Sequence, residues 1–253
     1  MMATPKLSNF KKKMLSALDF TFTHYMPRSF RRSDGVEIPL LEPPFCRICS
    51  EPLHEKYSEH GICRDCHNRH LRNRSRPDIL VKAAEYYIDN DFSHTLSNEI
   101  RRFKSDPSMA ERLGECLVHV FKNYYRELHD SDLIIPLFNV DNKRTYNQAA
   151  LLAGIMSREL SIPTAEILFL EKPVPPLRQM KLEAREEVLK DNVGCRENVK
   201  GRKILLIDDV YTTGATIRES GWVLTNNGAD LVQGLVVGRA TDTRDLRFAG
   251  RLK

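Results

Sequence analysis

Residues 204–216 constrain the fold more than any other part of the chain. The first four of these residues, Ile-Leu-Leu-Ile, are apolar and predict a buried strand. Two carboxylates, Asp208 and Asp209, follow at the point where that strand should end. Small and hydroxylic residues come next, and a helix is predicted from about Ile217. The run therefore predicts a buried strand, an acidic pair, a short loop and the start of a helix.

The loop consists of residue types that suit a phosphate group, namely Thr212, Thr213, Gly214, Ala215 and Thr216. Backbone N–H groups and hydroxyls donate to phosphate oxygens, and the positive end of the helix dipole favours an anion there. A glycine lets the backbone approach the phosphate closely. The acidic pair suits ribose hydroxyls or a metal ion. An ordinary strand–helix unit with two solvated aspartates is the alternative interpretation.

Apolar strand patterns alternate with helical patterns through residues 79–237. Strands are predicted at 79–87, 132–136, 165–170 and 231–237. Helices are predicted at 106–128 and 146–160. This alternation predicts an α/β fold with a mostly parallel sheet covered on both faces. Such sheets bind ligands at the carboxyl ends of their strands, where the acidic pair is expected.

The long charged segment 172–199 is predicted to be a functional or mobile loop. Its bases include Arg178, Lys181 and Arg185. An exposed helix whose bases pair with nearby glutamates is the alternative.

Four of the six cysteines form two C-x2-C pairs separated by thirteen residues: Cys46, Cys49, Cys63 and Cys66. Four thiolates at this spacing can form the tetrahedral ligand set of Zn²⁺. So short a segment cannot build much core, and a bound metal would supply its stability. Structural disulfides are disfavoured in a cytoplasmic chain. Redox C-x-x-C centres would need a strand–helix context that these pairs do not show.

The net charge of +5 lies entirely in residues 1–80, which hold 14 basic and 9 acidic residues. This asymmetry favours an anionic partner, and nucleic acid is the usual one. Four arginines that follow the second cysteine pair could track a phosphate backbone: Arg69, Arg72, Arg74 and Arg76. A solvated linker helix is the alternative.

No run of eighteen apolar residues occurs, so no membrane span is predicted. Three lysines at 11–13 precede an apolar stretch that is too short for a secretory signal and is broken by Asp19. We therefore expect a cytoplasmic protein.

The run 204–216 resembles the 5-phosphoribosyl-1-pyrophosphate (PRPP) signature of the type I phosphoribosyltransferases. With the cysteine module and the segments 97–104 and 144–148, the chain is similar to the ComF/ComFC family over about residues 45–240. That family joins a zinc-finger-like module to a phosphoribosyltransferase fold and is associated with natural competence. The resemblance implies a type I phosphoribosyltransferase-like parallel sheet with a small N-terminal four-cysteine zinc module. It divides the chain into an extension (1–42), that module (43–76) and a phosphoribosyltransferase-like domain (77–253).

The resemblance also assigns roles to residues. In type I phosphoribosyltransferases the acidic pair contacts the ribose 2′- and 3′-hydroxyls, and the loop holds the 5′-phosphate. Here those roles fall to Asp208 and Asp209, which are the candidate catalytic residues, and to residues 212–216. Arg144 would face the pyrophosphate of Mg²⁺-bound PRPP, because a guanidinium fork suits phosphate oxygens. The family usually has glycine and an aromatic residue in the segment 144–148, and Thr145 departs from that pattern. In related enzymes a mobile basic loop closes over pyrophosphate, a role that would fall here to Arg178, Lys181 and Arg185.

The function implied is that of a PRPP-binding competence protein acting in natural transformation and DNA uptake. Single-stranded DNA is the expected partner, and other competence or DNA-processing proteins are further candidates. An active phosphoribosyltransferase, which transfers phosphoribose to a nucleobase or an amine, is the alternative.

Overall fold

The computed structural model describes residues 29–53, 61–72, 78–89, 91–140, 145–175, 180, 182–242 and 246. The strands are β1 (Ser29–Arg31), β2 (Glu37–Pro39), β3 (Leu80–Tyr87), β4 (Leu133–Pro136), β5 (Leu168–Leu170), β6 (Val193–Cys195), β7 (Lys203–Tyr211) and β8 (Leu231–Ala240). The helices are α1 (Arg64–Arg72), α2 (Thr95–Phe103), α3 (Met109–Asn123), α4 (Gln148–Leu160), α5 (Leu182–Leu189) and α6 (Ala215–Asn226).

A four-stranded parallel sheet in the order β3–β8–β7–β4 forms the centre of the molecule. Alternate residues of β7 enter two separate apolar clusters, with Leu205 and Ile207 in one and Ile204 and Leu206 in the other. Side chains of α2, α3 and α4 belong to the first cluster, and those of α6 and the cysteine segment belong to the second. Both faces of β7 are therefore buried, which explains its continuous apolar run.

The chain leaves β4 and β7 in opposite directions. After β4 it forms α4 on one face of the sheet and returns at Thr164, which bridges Ile134 in parallel fashion. After β7 it forms α6 on the other face and continues into β8. The chain direction therefore reverses between the carboxyl ends of β4 and β7. Open α/β sheets bind ligands at such a point, where the chain direction reverses.

Part of the N-terminal extension packs against this domain. Arg32, between β1 and β2, is fully buried and pairs with Glu99 of α2 at 2.6 Å and with Asp34 at 2.8 Å. The Ser33 backbone N–H donates to Glu115 of α3 at 2.6 Å. The hairpin formed by β1 and β2 is thereby fixed to both helices.

The predicted α/β architecture with a parallel sheet and a separate four-cysteine cluster is confirmed. The strand predicted at 165–170 differs, because only Thr164 bridges the sheet and β5 instead pairs antiparallel with β6. The helix predicted at 106–128 ends at Asn123, and the chain then buries Tyr125, whose hydroxyl donates to the Ala83 carbonyl oxygen at 2.7 Å. Within the described ranges, none of the helices combines the length and apolarity needed to cross a bilayer.

Candidate functional site

The acidic pair lies in the second half of β7, just past the carboxyl end of β4. Asp208 and Asp209 are both half-buried. Pairing with β4 stops at Ile207, whereas β7 continues through the acidic pair to Tyr211, beyond the point at which the sequence predicts the strand to end. The Asp208 carboxylate accepts the Asp209 N–H at 2.9 Å, and the Asp209 carboxylate accepts the Val210 N–H at 2.8 Å. These backbone contacts orient both carboxylates close to the chain.

The predicted phosphate loop, residues 212–216, turns the chain from β7 into α6. Gly214 precedes α6 in the left-handed conformation with φ +72°. A Cβ at this position would overlap the phenol of Tyr211, so the turn requires glycine. The first turn of α6, which is described in full, carries no acidic side chain. The Ala215 N–H donates to Thr213 Oγ1 at 3.4 Å, and no acidic side chain of this turn competes with an anion for the N–H groups at this helix end.

Three side chains that the sequence analysis did not identify pack beneath the loop. The buried Tyr211 hydroxyl accepts from Arg218 Nη1 at 3.3 Å, and the same nitrogen donates to the Thr213 carbonyl oxygen at 2.7 Å. Arg239 of β8 donates to the carbonyl oxygens of Tyr211 at 3.0 Å and Thr212 at 2.7 Å. Burial raises the pKa of Tyr211 to about 12, which keeps the phenol neutral at physiological pH. Arg218 lies next to the threonine-rich loop in the sequence, whereas Arg239 lies on β8, so its contact with the loop leaves no local sequence signal.

Helix α5, in the long charged segment, also reaches the loop. Arg185 Nη1 lies 3.5 Å from Thr212 Oγ1, and Glu186 pairs with Arg218. Arg178 and Lys181 lie outside the described residues. The segment thus supplies one base at the loop and one ion pair to the helix behind it.

The four cysteines of the two C-x2-C pairs converge in one buried cluster. Their Sγ atoms lie within 4.8 Å of one another, and those of Cys49 and Cys63 are 3.6 Å apart. None of the six cysteines of the chain forms a disulfide. Four thiolates at about 2.3 Å from a zinc ion would be about 3.8 Å apart, so the cluster fits tetrahedral Zn²⁺. Arg69 Nη2 donates to Cys66 Sγ at 3.0 Å, which supports a negative charge on that sulfur.

The cysteine segment docks on the central sheet at β3. The Val81 N–H donates to the Ile48 carbonyl oxygen at 2.7 Å, and Ser50 Oγ donates to the Val81 carbonyl oxygen at 3.0 Å. Glu51, which follows the first cysteine pair, forms an ion pair with Arg239. The cysteine cluster and the loop are therefore joined through the buried interior.

The structure thus gathers Asp208, Asp209 and residues 212–216 at one edge of the sheet. Arg69 is half-buried against Cys66. Arg144, Arg74 and Arg76 lie outside the described residues, as does the side chain of Arg72.

Sequence similarity decides the family. The chain is 31% identical over 188 residues to competence protein ComFC of Bacillus subtilis strain 168, and the match covers 72% of each chain. The chain belongs to the ComFC family. Competence protein F of Haemophilus influenzae is a further relative of this ComFC-family chain, with 27% identity over 217 residues, which are 81% of this chain and 89% of the relative. The DNA utilization protein YhgH of Escherichia coli K12 is 28% identical over 220 residues, which are 77% and 96% of the two chains. No protein-family model matches the chain.

Solved structures with some likeness to this ComFC-family chain include two phosphoribosyltransferases. Adenine phosphoribosyltransferase from Leishmania tarentolae aligns with a TM-score of 0.36 at 14% identity, covering 60% of this chain and 90% of that one. Orotate phosphoribosyltransferase from Aeropyrum pernix aligns with a TM-score of 0.34 at 20% identity, covering 59% and 81%. Likeness of this size establishes no shared activity, so membership of the ComFC family rests on sequence.

Proposed function

We propose that this ComFC-family protein binds Mg²⁺-PRPP at the carboxyl edge of β7 and acts on single-stranded DNA in natural transformation and DNA uptake. One observation carries the proposal: an acidic pair and a glycine-dependent turn at a helix N-terminus lie together at the carboxyl edge of a parallel sheet, where the chain direction reverses. The names of the relatives, competence and DNA utilization proteins, support the part that concerns DNA.

Each group of residues at this edge binds a different part of PRPP. Asp208 and Asp209 accept hydrogen bonds from the ribose hydroxyls, and residues 212–216 bind the 5′-phosphate with backbone N–H groups and hydroxyls. Arg144 and Arg185 are the bases assigned to the pyrophosphate. Mg²⁺, when bound, neutralises charge on the diphosphate. In a transfer reaction the contribution of the chain is positioning and electrostatic stabilisation at the ribose anomeric carbon.

Calorimetric titration with Mg²⁺-PRPP tests this site. The double variant Asp208→Asn/Asp209→Asn keeps side-chain volume but removes both charged acceptors. Hydrogen bonds to charged groups are worth roughly 1.5–3 kcal/mol each, so affinity should fall by about 100-fold or more. Asp230→Asn is the matched control, since Asp230 is exposed at the opposite edge of the sheet, just before β8. Unchanged PRPP affinity in the double variant would refute the site.

An active phosphoribosyltransferase is the alternative use of the same site. A screen of purine bases, pyrimidine bases and amines with Mg²⁺-PRPP, followed by pyrophosphate release, separates the two functions. Acceptor-dependent release that disappears in Asp208→Asn/Asp209→Asn establishes transfer. PRPP binding without release for any acceptor favours the binding protein.

We assign single-stranded DNA to the arginines that follow the second cysteine pair, Arg69, Arg72, Arg74 and Arg76. They belong to the third of the chain that carries the net charge, and clustered basic side chains can track a nucleic-acid backbone. Arg69 also contacts Cys66, so it is left unchanged in the test.

Fluorescence anisotropy with labelled single-stranded DNA over a salt series measures this interaction. The slope of log affinity against log salt changes by about 0.7 for each phosphate contact, so Arg72→Gln/Arg74→Gln/Arg76→Gln should lower it by about 2. The variant Lys122→Gln/Lys190→Gln/Lys200→Gln removes the same charge from exposed positions elsewhere and should leave the slope near that of the parent. Absent or salt-independent binding by the parent protein would remove DNA from the proposal.

The remaining assignments follow from the same account. Zn²⁺ is placed at the four cysteines as a structural ion, in a module spanning 43–76 between the extension 1–42 and the phosphoribosyltransferase-like domain 77–253. We assign the protein to the cytoplasm, because cysteine thiols stay reduced in that compartment. Other competence or DNA-processing proteins are further candidate partners.

A further inference from the structure

We infer that Arg239 is a positioning residue that couples the four-cysteine module to the phosphate loop. Metal bound at the cysteines and PRPP bound at the loop then each favour binding of the other. The inference rests on the proposed PRPP and zinc sites, and it adds to them a thermodynamic link.

On one side, Arg239 fixes the point where the loop begins. It lies opposite Tyr211 in the register of β7 and β8, and its side chain is 11% exposed. Its Nη1 atom donates to the carbonyl oxygens of Tyr211 and Thr212, at 3.0 Å and 2.7 Å. Its guanidinium carbon lies 5.0 Å from the centre of the Tyr211 ring. The two carbonyls mark the end of the strand and the first residue of the loop, so a shift of the guanidinium shifts the loop.

On the other side, the same guanidinium binds the cysteine module. Its Nη2 atom donates to the Glu51 carboxylate, which is 20% exposed. The Glu51 backbone carbonyl oxygen accepts the Cys46 N–H at 2.7 Å, and Ser50 N–H donates to the Cys46 carbonyl oxygen at 2.9 Å. Glu51 is thus part of the turn that carries the first cysteine pair.

Tyr211 provides a second connection through packing. It is 5% exposed and lies in the same buried cluster as Cys46, Cys49, Cys63 and Cys66. Its phenol fills the space that a side chain at position 214 would need. The ring therefore lies between the cysteine cluster and the turn of the phosphate loop.

Because of these contacts, the position of the cysteine module and the conformation of the phosphate loop depend on each other. If the cysteine module rotates so that Glu51 moves away, the buried Arg239 guanidinium loses its carboxylate partner. An unpaired buried charge costs free energy. Arg239 must then find another partner, and the carbonyls of Tyr211 and Thr212 lose their donor. Such coupling is reciprocal, so PRPP must raise zinc affinity by the factor by which zinc raises PRPP affinity.

Equilibrium zinc competition tests the inference. The full-length protein is titrated with a chromogenic chelator at saturating Mg²⁺, with and without saturating PRPP. We expect PRPP to raise the zinc affinity of the parent protein about fivefold or more. Chelation of zinc by PRPP itself affects every variant equally.

Two variants and one control identify the residues responsible. Glu51→Gln should reduce the effect of PRPP on zinc affinity to less than about twofold, because the charge that holds Arg239 is gone. Arg239→Lys keeps the charge but lacks the fork, and it should lose the effect as well. Arg239→Lys also tests the coupling if Glu51→Gln does not fold. Glu111→Gln removes a glutamate that pairs with Arg158 at 2.9 Å on the exposed surface, and it should keep the full effect.

The outcomes distinguish the inference from the function on which it rests. Suppose that calorimetry detects PRPP binding. The inference is then overturned if PRPP leaves the zinc affinity of the parent protein unchanged, or if PRPP changes the zinc affinity of Arg239→Lys as much as that of the parent. A zinc-loaded parent protein that gives no heat with Mg²⁺-PRPP overturns the proposed function, and the coupling with it.

Discussion

At the scale of single residues, the loop geometry depends most on Gly214. Its φ of +72° is disfavoured for any residue with a Cβ, and the space beside it is filled by Tyr211. The two effects can be separated, because Gly201 has a similar φ of +75° with open space around the position of a Cβ. The chain therefore contains its own control for backbone strain.

We expect Gly214→Ala to destabilise the protein more than Gly201→Ala. The control should cost about 1 kcal/mol for the left-handed conformation, whereas Gly214→Ala adds the displacement of a buried tyrosine. Urea unfolding measures both costs, and Mg²⁺-PRPP titration should detect weaker binding only in Gly214→Ala. Equal costs and equal PRPP affinities would contradict the packing described for Tyr211.

At the scale of elements, helix α2 has a titratable N-cap. His94 Nδ1 accepts the Ser97 N–H at 3.3 Å, which it can do only as neutral imidazole. Burial lowers the pKa of His94 from its ordinary value of 6.5, with a further lowering by Arg101 and an opposing effect of Asp91. The unfolded chain therefore binds the proton more readily, so the stabilisation is complete above 6.5 and is lost as the pH falls towards the folded-state pKa.

Substitution of this cap should change the pH dependence of stability. His94→Asn keeps a good N-cap without a titrating group, so the free energy of unfolding should decline less between about pH 7 and about pH 5 than in the parent protein. Urea unfolding over a pH series gives the comparison. A decline as steep as that of the parent would show that His94 does not titrate as described.

The cysteine module is the second element with a direct test. Purified protein should contain one zinc ion per chain by metal analysis, and Cys63→Ser should lose it because three thiolates do not close the tetrahedral site. Cys195→Ser is the matched control, since Cys195 lies in β6 outside the cluster and should leave the zinc in place. Zinc-free parent protein with all four cluster thiols titratable would contradict a structural zinc site.

At the scale of the whole molecule, local sequence patterns predicted most of the central sheet. Strand β7 and helix α4 were predictable because burial on both faces gives a continuous apolar run, and burial on one face gives a helical repeat. The pairing of β5 with β6 outside the central sheet was not predictable, because an apolar run does not specify which strand it pairs with. The pair formed by Glu51 and Arg239 joins residues 188 positions apart, and such a contact leaves no periodic signal.

The candidate site was predictable to a similar degree. The acidic pair and the loop are adjacent in sequence, so the turn from strand to helix brings them together. Tyr211, Arg218 and Arg239 were missed as supports, because a tyrosine or arginine near a strand end is compatible with many surroundings. Their role depends on how the cysteine module packs beneath the loop, which is a property of the whole fold.

A crystal structure of the protein with Mg²⁺ and PRPP tests the central claim most directly. The account predicts the 5′-phosphate against the backbone of residues 212–216 and the ribose hydroxyls against Asp208 and Asp209. An empty edge at full PRPP concentration, or PRPP bound elsewhere with this edge closed by side chains, would contradict it.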